Sequence, residues 1–337
     1  MTSPSLHTTL ETYLTDDALP DNIGASAVTA AILGLSEAAI KIARLAAFNG
    51  LSDDNLGALA GGINEDGDDQ KQLDVIADRL VQEALSDAGV ATYFSEEQSA
   101  PIGLHNGGAL GVACDPLDGS SNIDTNMSIG TIFSVFAMAD CAGGLPPAGR
   151  KQIAAGIFVY GPQTALLLSF GKEVLAFALS YTQADNQADN QAEFRRLAWD
   201  VAIPKDSAEF AINASNAAFW PKPIADYIYE VSYGDGAQGS GMRWLGSLVA
   251  DATRIFRRGG VFLYPQDSRP SYEQGRLRLI YEANPLALLV EAAGGKATTG
   301  TIDILDVIPT DLHQRVPLIF GSTNLVDALT SQIQQKQ

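Results

Sequence analysis

The apolar positions of this chain follow first one period and then another. Over residues 25–49 they recur at helical spacing, and the run stops at Asn49-Gly50, a helix-ending pair. Residues 70–88 repeat the pattern. Leu73, Ile76, Ala77, Leu80 and Leu85 form the predicted core face, and Asp74 sits near the start, where the helix dipole favours an acid. The period then shortens. Residues 90–94, 109–114 and 128–139 read as strands, and residues 152–177 as apolar strands broken by Gly-Pro turns. Further on, Ala211-Ile212-Asn213 reads as a strand end entering a loop. Residues 248–257 predict a helix ended by Gly259-Gly260, and residues 261–265 the following strand. Residues 275–282 alternate well enough to predict a strand with Arg276, Arg278 and Glu282 on related faces. Asn284-Pro285 then opens a helix that runs to Ala293 and stops at Gly294-Gly295.

Residues 1–20 read as loosely ordered, and residues 53–67 as a Gly- and Asp-rich connection. Residues 181–193 carry Ala-Asp-Asn-Gln twice and few apolar side chains, which predicts an exposed loop or a linker at a domain boundary.

A length of 337 residues suits roughly two domains or one large one, and 46% hydrophobic residues suffice for a substantial core. No uninterrupted apolar run approaches the roughly 18–20 residues needed to span a bilayer. The first residues lack a basic region followed by an apolar stretch, so no secretory leader is expected. Cys114 and Cys141 are the only cysteines and have no metal-site spacing, which fits a reducing cytoplasm. A net charge of −19 argues against nucleic acid or an anionic membrane as partner. It also leaves an anionic substrate in need of local positive charge. Bound divalent cations would supply some. Arg243, Arg254, Arg257, Arg258, Arg269, Arg276 and Arg278 gather 7 of the 21 basic residues in one stretch, in the side chain best shaped to hold phosphate.

The densest chemistry lies in Asp115-Pro116-Leu117-Asp118-Gly119-Ser120-Ser121-Asn122-Ile123-Asp124, between two apolar runs. The chain is expected to turn sharply here. Asp115 and Asp118, with Pro116 stiffening the backbone between them, can aim oxygens at one point. Hard oxygen donors suit Mg²⁺ or Mn²⁺. Gly119, Ser120 and Ser121 are small and leave backbone N–H groups open to a phosphate. Metal ligands beside a phosphate cradle are the equipment of a metal-assisted phosphatase. An isolated Asp-Pro-x-Asp-Gly is equally ordinary turn chemistry, but a second acid pair, Glu96 and Glu97, follows the preceding strand. A strand, an acid, a connection, a strand and another acid are what a site at strand ends requires. Glu282, at a strand–helix junction, adds a further acid.

The ten residues from Asp115 resemble the signature of the class I fructose-1,6-bisphosphatases, and Arg278-Leu279-Ile280-Tyr281-Glu282-Ala283-Asn284-Pro285 resembles that family's second signature. Inositol monophosphatases usually carry Thr-Asn-Phe where this chain has Ser120-Ser121-Asn122-Ile123, which favours the sugar bisphosphatase branch. Matching motifs run from about Gln72 to Gly295. The resemblance implies an α/β fold, a layered α-β-α-β-α sandwich of two similar-sized domains, here residues 1–196 and 197–337, with the metal site at their junction. It implies Glu96, Asp115, Asp118, Glu282 and the Leu117 carbonyl as ligands for two or more Mg²⁺ ions, with Mn²⁺ as a substitute. Asp74 and Glu97 would orient or deprotonate the attacking water, and Asp68 matches another acid near the metals. Gly119, Ser120 and Ser121 would hold the 1-phosphate. Asn213, Tyr264, Arg276 and Arg243 would hold the sugar and 6-phosphate, the last from a neighbouring subunit of a dimer or tetramer. The implied reaction turns fructose 1,6-bisphosphate into fructose 6-phosphate and phosphate.

Several positions depart from the family. Arg276 stands where Lys is usual and Trp244 where Tyr is usual, while Ala214-Ser215-Asn216 replaces a stretch that supplies a phosphate-binding hydroxyl. A guanidinium does not place charge as an ammonium does, and an indole only donates. A seven-carbon substrate, sedoheptulose 1,7-bisphosphate, is therefore the rival. A non-catalytic sugar-phosphate sensor is the remote one, disfavoured by the full set of acids. Ala109, Leu110 and about Ala137 occupy the positions where AMP-inhibited relatives carry Lys, Tyr and Arg, so weak or absent AMP inhibition is expected. The cysteine loop of the chloroplast enzymes is missing, so thiol control is not expected. Gluconeogenesis and carbon fixation both stay open as the pathway served.

Overall fold

A computed structural model describes residues 8–16, 24–48, 59–63, 69–182, 191–234 and 240–335. The chain opens with a short helix, α1 (Leu10–Asp16), and the long α2 (Ala25–Ala47). A two-stranded ribbon, β1 (Leu59–Ile63) and β2 (Asp69–Lys71), leads into α3 (Gln72–Asp87). Eight strands then build the larger sheet. They are β3 (Thr92–Ser95), β4 (Ile102–Gly103), β5 (Leu110–Asp118), β6 (Ile129–Ala137), β7 (Gln152–Tyr160), β8 (Thr164–Ser169), β9 (Val174–Thr182) and β10 (Gln191–Arg196). Their order is β10-β9-β8-β7-β6-β5-β3-β4, antiparallel except where β3 lies parallel to β5. That one parallel pair makes the ends of β3 and β5 coincide, so the residues just after each strand meet.

The second half adds β11 (Glu209–Ile212), α4 (Lys222–Tyr233), β12 (Gly241–Met242), α5 (Leu248–Arg258) and β13 (Val261–Tyr264). After them come β14 (Leu277–Arg278), α6 (Asn284–Ala292), β15 (Lys296–Thr298), β16 (Arg315–Val316), β17 (Leu318–Gly321) and α7 (Thr323–Gln335). A mixed sheet of order β12-β11-β13-β17-β15 forms the second β layer, and β14 pairs with β16 apart from it.

Three apolar clusters define the layers. Val28, Ile32, Leu35 and Ile42 of α2 and Leu73, Ala77 and Leu85 of α3 pack on Val112, Phe133 and Phe158 of the larger sheet. The opposite face of that sheet, including Ala113, Ile132 and Ile157, meets α5 and α6 and, beyond them, Phe262 and Phe320 of the smaller sheet. Ile224, Tyr227, Val326 and Leu329 of α4 and α7 cover the far side of the smaller sheet. The order of layers is thus α-β-α-β-α. Because neighbours such as Val112 and Ala113 belong to different clusters, β5 and β6 are buried on both faces. That is why they read as continuous apolar runs.

Some sequence expectations need correction. Asp115 and Asp118 do not sit in a turn. They end β5, where the register with β6 shifts between them. Residues 275–282 are not one strand: β14 holds only Leu277–Arg278, and a single π-helical turn, Leu279–Ala283, follows. The alternation misleads because Leu279, Ile280 and Tyr281 are buried in succession, leaving no solvent face. Helix α2 is long and apolar enough to cross a membrane by length and composition, although its buried face packs on α3 and the sheet. The central part of the direct repeat, residues 183–190, lies outside the described residues, as do Asp68, residues 17–23 and most of residues 53–67. Thr182 pairs directly with Gln191, so the repeat joins adjacent strands of one sheet rather than two domains.

Candidate active site

Buried acids gather where β3 and β5 end, beside the start of α5 and the turn before α6. Asp118, the last residue of β5, reaches α5 from far away in sequence. Its Oδ2 accepts from Ser247 Oγ at 2.8 Å and Val249 N–H at 3.0 Å, and its Oδ1 from Leu248 N–H at 3.2 Å. Helix α5 has no cap of its own from Ser247, so Asp118 satisfies its first donors and faces the positive end of its dipole. Burial raises the Asp118 carboxyl above its usual range, and these donors pull it part of the way back. A carboxylate offers about four lone-pair directions, so acceptor capacity remains for a further partner.

Asp115 Oδ1 accepts from Leu117 N–H at 3.0 Å. Burial pushes this carboxyl well above its usual range, and the charges of Glu96, Asp118, Glu282 and Glu97 push it further. Glu282 enters on the π-helical turn, and its Oε2 accepts from Arg278 N–H. One oxygen each from Asp115, Asp118 and Glu282 lies within 4.8 Å of the others, and all three residues are buried. Octahedral Mg²⁺ with oxygens at ~2.1 Å needs ligand atoms ~3–4 Å apart, so the spacing fits with a small contraction. The donor set is all hard oxygen, and its mutual repulsion is what a divalent cation would relieve. These residues fit such a metal.

Gly119 follows at φ 78°, a conformation glycine takes without strain. A Cβ there would stand 2.8 Å from Ser247 Cβ, so only glycine lets β5 pass this close to the start of α5. Ser120–Asn122 then turn as one 3₁₀ segment, and Asn122 Nδ2 donates to Leu245 O at 3.2 Å, which ties the segment to the residues before α5. Beyond it Trp244 stacks on Phe262 with ring centroids 5.7 Å apart and lies 6.0 Å from Tyr264. Asp251 is fully buried, and its Oδ2 accepts from Leu245 N–H at 3.1 Å, which holds this aromatic segment. Burial raises the Asp251 carboxyl to about 6.

A cavity of about 550 Å³ is lined by Glu96, Glu97, Asp115, Leu117, Asp118, Gly119, Ser120, Ser121, Asn213, Tyr264, Arg276 and Glu282. Twelve of the candidate site residues named from the sequence, together with Trp244, therefore meet at one place. Asp74 lies behind this wall. It is 3% exposed, its Oδ2 accepts from Lys71 N–H at 2.8 Å, and its Oδ1 has no hydrogen-bond partner. Burial raises its carboxyl to about 7, with Glu97 adding to the shift and Lys71 opposing it. Arg243 does not line this cavity: its guanidinium lies 3.9 Å from Glu209 and donates to Met242 O. Asn213 uses its side chain to cap the turn after β11, taking both the Ser215 N–H and hydroxyl. Arg276 donates to Tyr272 OH at 3.3 Å. Sequence reasoning missed Lys71, Gly246, Ser247, Leu248, Asp251, Phe262 and Leu277 among the lining residues. A Ser immediately before a helix is a cap signal, and it was the one available clue to Ser247.

Buried carboxylates able to hold a divalent cation, beside a loop of small residues, are the equipment of a metal-assisted phosphoryl hydrolase. The comparisons sharpen that class. Residues 13–186 match the family model "Fructose-1-6-bisphosphatase, N-terminal domain", and residues 203–334 match "Fructose-1-6-bisphosphatase, C-terminal domain". A class 1 fructose-1,6-bisphosphatase of Azorhizobium caulinodans is 47% identical over 96% of this chain and 98% of its own length. One of Nitrobacter hamburgensis is 46% identical over 95% of this chain and 91% of its own. Crystal structures of Leishmania major fructose-1,6-bisphosphatase, 30% identical, superpose over 98% of this chain. The holo form, covered in full, gives a TM-score of 0.86, and the apo form, covered to 99%, gives 0.81. The chain belongs to the class 1 fructose-1,6-bisphosphatase family.

Proposed function

We propose that this chain hydrolyses the 1-phosphate of D-fructose 1,6-bisphosphate, giving fructose 6-phosphate and inorganic phosphate by in-line attack of water. The observation that carries this reading is a single cavity whose lining includes buried Asp115, Asp118 and Glu282 together with Gly119, Ser120 and Ser121. Two or more Mg²⁺ ions, or Mn²⁺, would be held by Glu96, Asp115, Asp118, Glu282 and the Leu117 carbonyl. When bound, such ions polarise the phosphoryl oxygens and acidify water. The remaining work falls to the protein. Gly119, Ser120 and Ser121 hold the 1-phosphate by backbone and hydroxyl donors. Glu97, in the lining, and Asp74, behind it, orient or deprotonate the attacking water, and a carboxyl raised to about 7 by burial suits Asp74 to the proton-accepting role. Asn213, Tyr264 and Arg276 position the sugar and its 6-phosphate.

Arg243 belongs, in this reading, to the site of a neighbouring subunit in a homodimer or homotetramer. Its half-exposed side chain, held at Glu209 away from the local cavity, supports that. Residues 1–196 carry most of the metal ligands, and residues 197–337 bind the sugar phosphate. The larger sheet ends at Arg196 and the smaller begins at Glu209, which supports the division. The cytoplasm is the proposed location. Cys114 and Cys141 are both free thiols, and burial pushes the Cys114 thiol up, away from reactive thiolate.

The altered sugar end favours testing a second substrate, because the Ser215 hydroxyl is engaged by Asn213. Phosphate release from fructose 1,6-bisphosphate and sedoheptulose 1,7-bisphosphate, with Mg²⁺ and with EDTA, tests both. Metal-dependent release with higher kcat/KM on the six-carbon sugar is expected. Comparable values mean broadened specificity, and no release from either removes the enzymatic reading. Adding AMP to the same assay should lower the rate weakly or not at all. Ala109, Leu110 and Ala137 offer neither charge nor ring to a nucleotide, and micromolar inhibition would contradict this.

A further inference from the structure

We propose that Asp78 is a positioning residue that fixes the loop carrying Glu96 and Glu97, and thereby sets both divalent-cation affinity and turnover. The inference rests on the metal-dependent reading above. Asp74 and Asp78 lie one turn apart on α3 and share a face, yet their surroundings differ. Asp74 keeps one buried oxygen without a hydrogen-bond partner. Asp78 has both oxygens engaged. Its Oδ1 accepts from Tyr93 OH at 2.8 Å and Ser95 Oγ at 2.6 Å, and its Oδ2 accepts from Gln98 Nε2 at 2.6 Å. These donors bracket Glu96 and Glu97, with Ser95 just before them and Gln98 just after.

The bracket is extended inside the loop and closed from the far side. Ser95 Oγ also accepts from Glu97 N–H at 3.2 Å, and Glu96 N–H donates to Cys114 O at 3.1 Å beside the Asp115 strand end. His313 Nε2 lies 3.1 Å from Gln98 O, and Arg278 donates to His313 O at 2.6 Å. The Arg278 guanidinium also stands 3.7 Å from Glu96. The loop is thus held between α3 and the segment that presents Glu282. A carboxylate only 4% exposed is expensive to bury, and three donors offset that cost only while the loop keeps this shape. Asp78 therefore penalises any displacement of Glu96 and Glu97, although it does not line the cavity itself.

Groups that orient metal ligands without touching the ion typically change affinity or activity by 10–100-fold when lost. The test measures Mn²⁺ binding, from the spin-resonance signal of the free ion, alongside kcat and KM for fructose 1,6-bisphosphate. Asp78→Ala should weaken Mn²⁺ binding by about 10-fold and lower kcat by at least about 10-fold, with KM moving less than about 3-fold. Asp78→Asn should rescue both to within about 3-fold, because its Oδ1 still accepts and Gln98 can turn its carboxamide to meet the new N–H₂. Unchanged Mn²⁺ affinity and kcat in Asp78→Ala, whatever its melting temperature, overturn the inference. If that variant does not fold, Gln98→Ala decides: a shift of about 3-fold in the same direction supports it, and no shift overturns it. A wild-type chain that binds no Mn²⁺ instead removes the metal-dependent reading itself.

Discussion

Replacing Asp115 with Asn is expected to lower kcat for fructose 1,6-bisphosphate by at least about 100-fold, the scale of losing one preorganised electrostatic group. The same change should raise the melting temperature of the metal-free protein by a few degrees, about 1 kcal/mol or more in a chain of this size. The two effects have one cause. Asp115 is buried beside Glu96, Asp118, Glu282 and Glu97, and both burial and those charges oppose its ionisation. Asn keeps the shape, and its Oδ1 can still accept from Leu117 N–H, so removing the charge removes repulsion without opening a cavity. The pH dependence has a definite sign. A carboxyl raised above its unfolded value favours the folded state most at low pH, and that contribution is lost as pH rises through the folded value. The chelated wild type should therefore lose stability from pH ~4 upward, and Asp115→Asn should lose less. Adding Mg²⁺ should reverse the ranking, since a cation that binds only the folded state stabilises it by mass action. Calorimetry with Mg²⁺ and with EDTA, together with phosphate release, reads all of this. Full turnover in the variant would remove Asp115 from the reaction.

The helices and central strands were legible because local burial wrote them into the sequence. Predicted residues 70–88 became Gln72–Asp87, and residues 284–293 became Asn284–Ala292. The π-helical turn at Leu279–Ala283 was not legible, since an alternating pattern carries no record of which neighbour covers each face. Nor does the pattern tell a turn from a strand end with a register shift, which is how Asp115 and Asp118 were misplaced. The acids stood out because they cluster in two short motifs. Their supports did not: Asp118 meets the start of α5 across 129–131 residues, and that pairing exists only once the layers are stacked. Nor does the sequence mark Asp78, because its three donors come from β3 and the loop beyond it, which only the fold brings to α3.

Asp74→Asn should lower kcat by about 10²–10⁴-fold, the usual worth of a positioned general base, and should change the shape of the pH profile as well as its height. Burial raises this carboxyl from 3.8 to about 7. A base must be ionised to accept a proton, so wild-type kcat should fall about tenfold per pH unit on the acid side of that value. A cation bound beside it stabilises the charged form, so the limb should lie at or below that pH and move lower as Mg²⁺ is raised. Asp74→Asn should lack the limb. Stability should run the opposite way. The folded state holds a proton between 3.8 and about 7 that the unfolded chain has already released. The Asp74 contribution is therefore full below the unfolded value and is lost as pH rises to about 7, while the Asn variant is flat in this respect. Activity gained and stability lost over one pH window separate a group kept for proton transfer from one kept for packing. A wild-type profile flat over that window, or the same acid limb persisting in Asp74→Asn, would assign the proton to another residue.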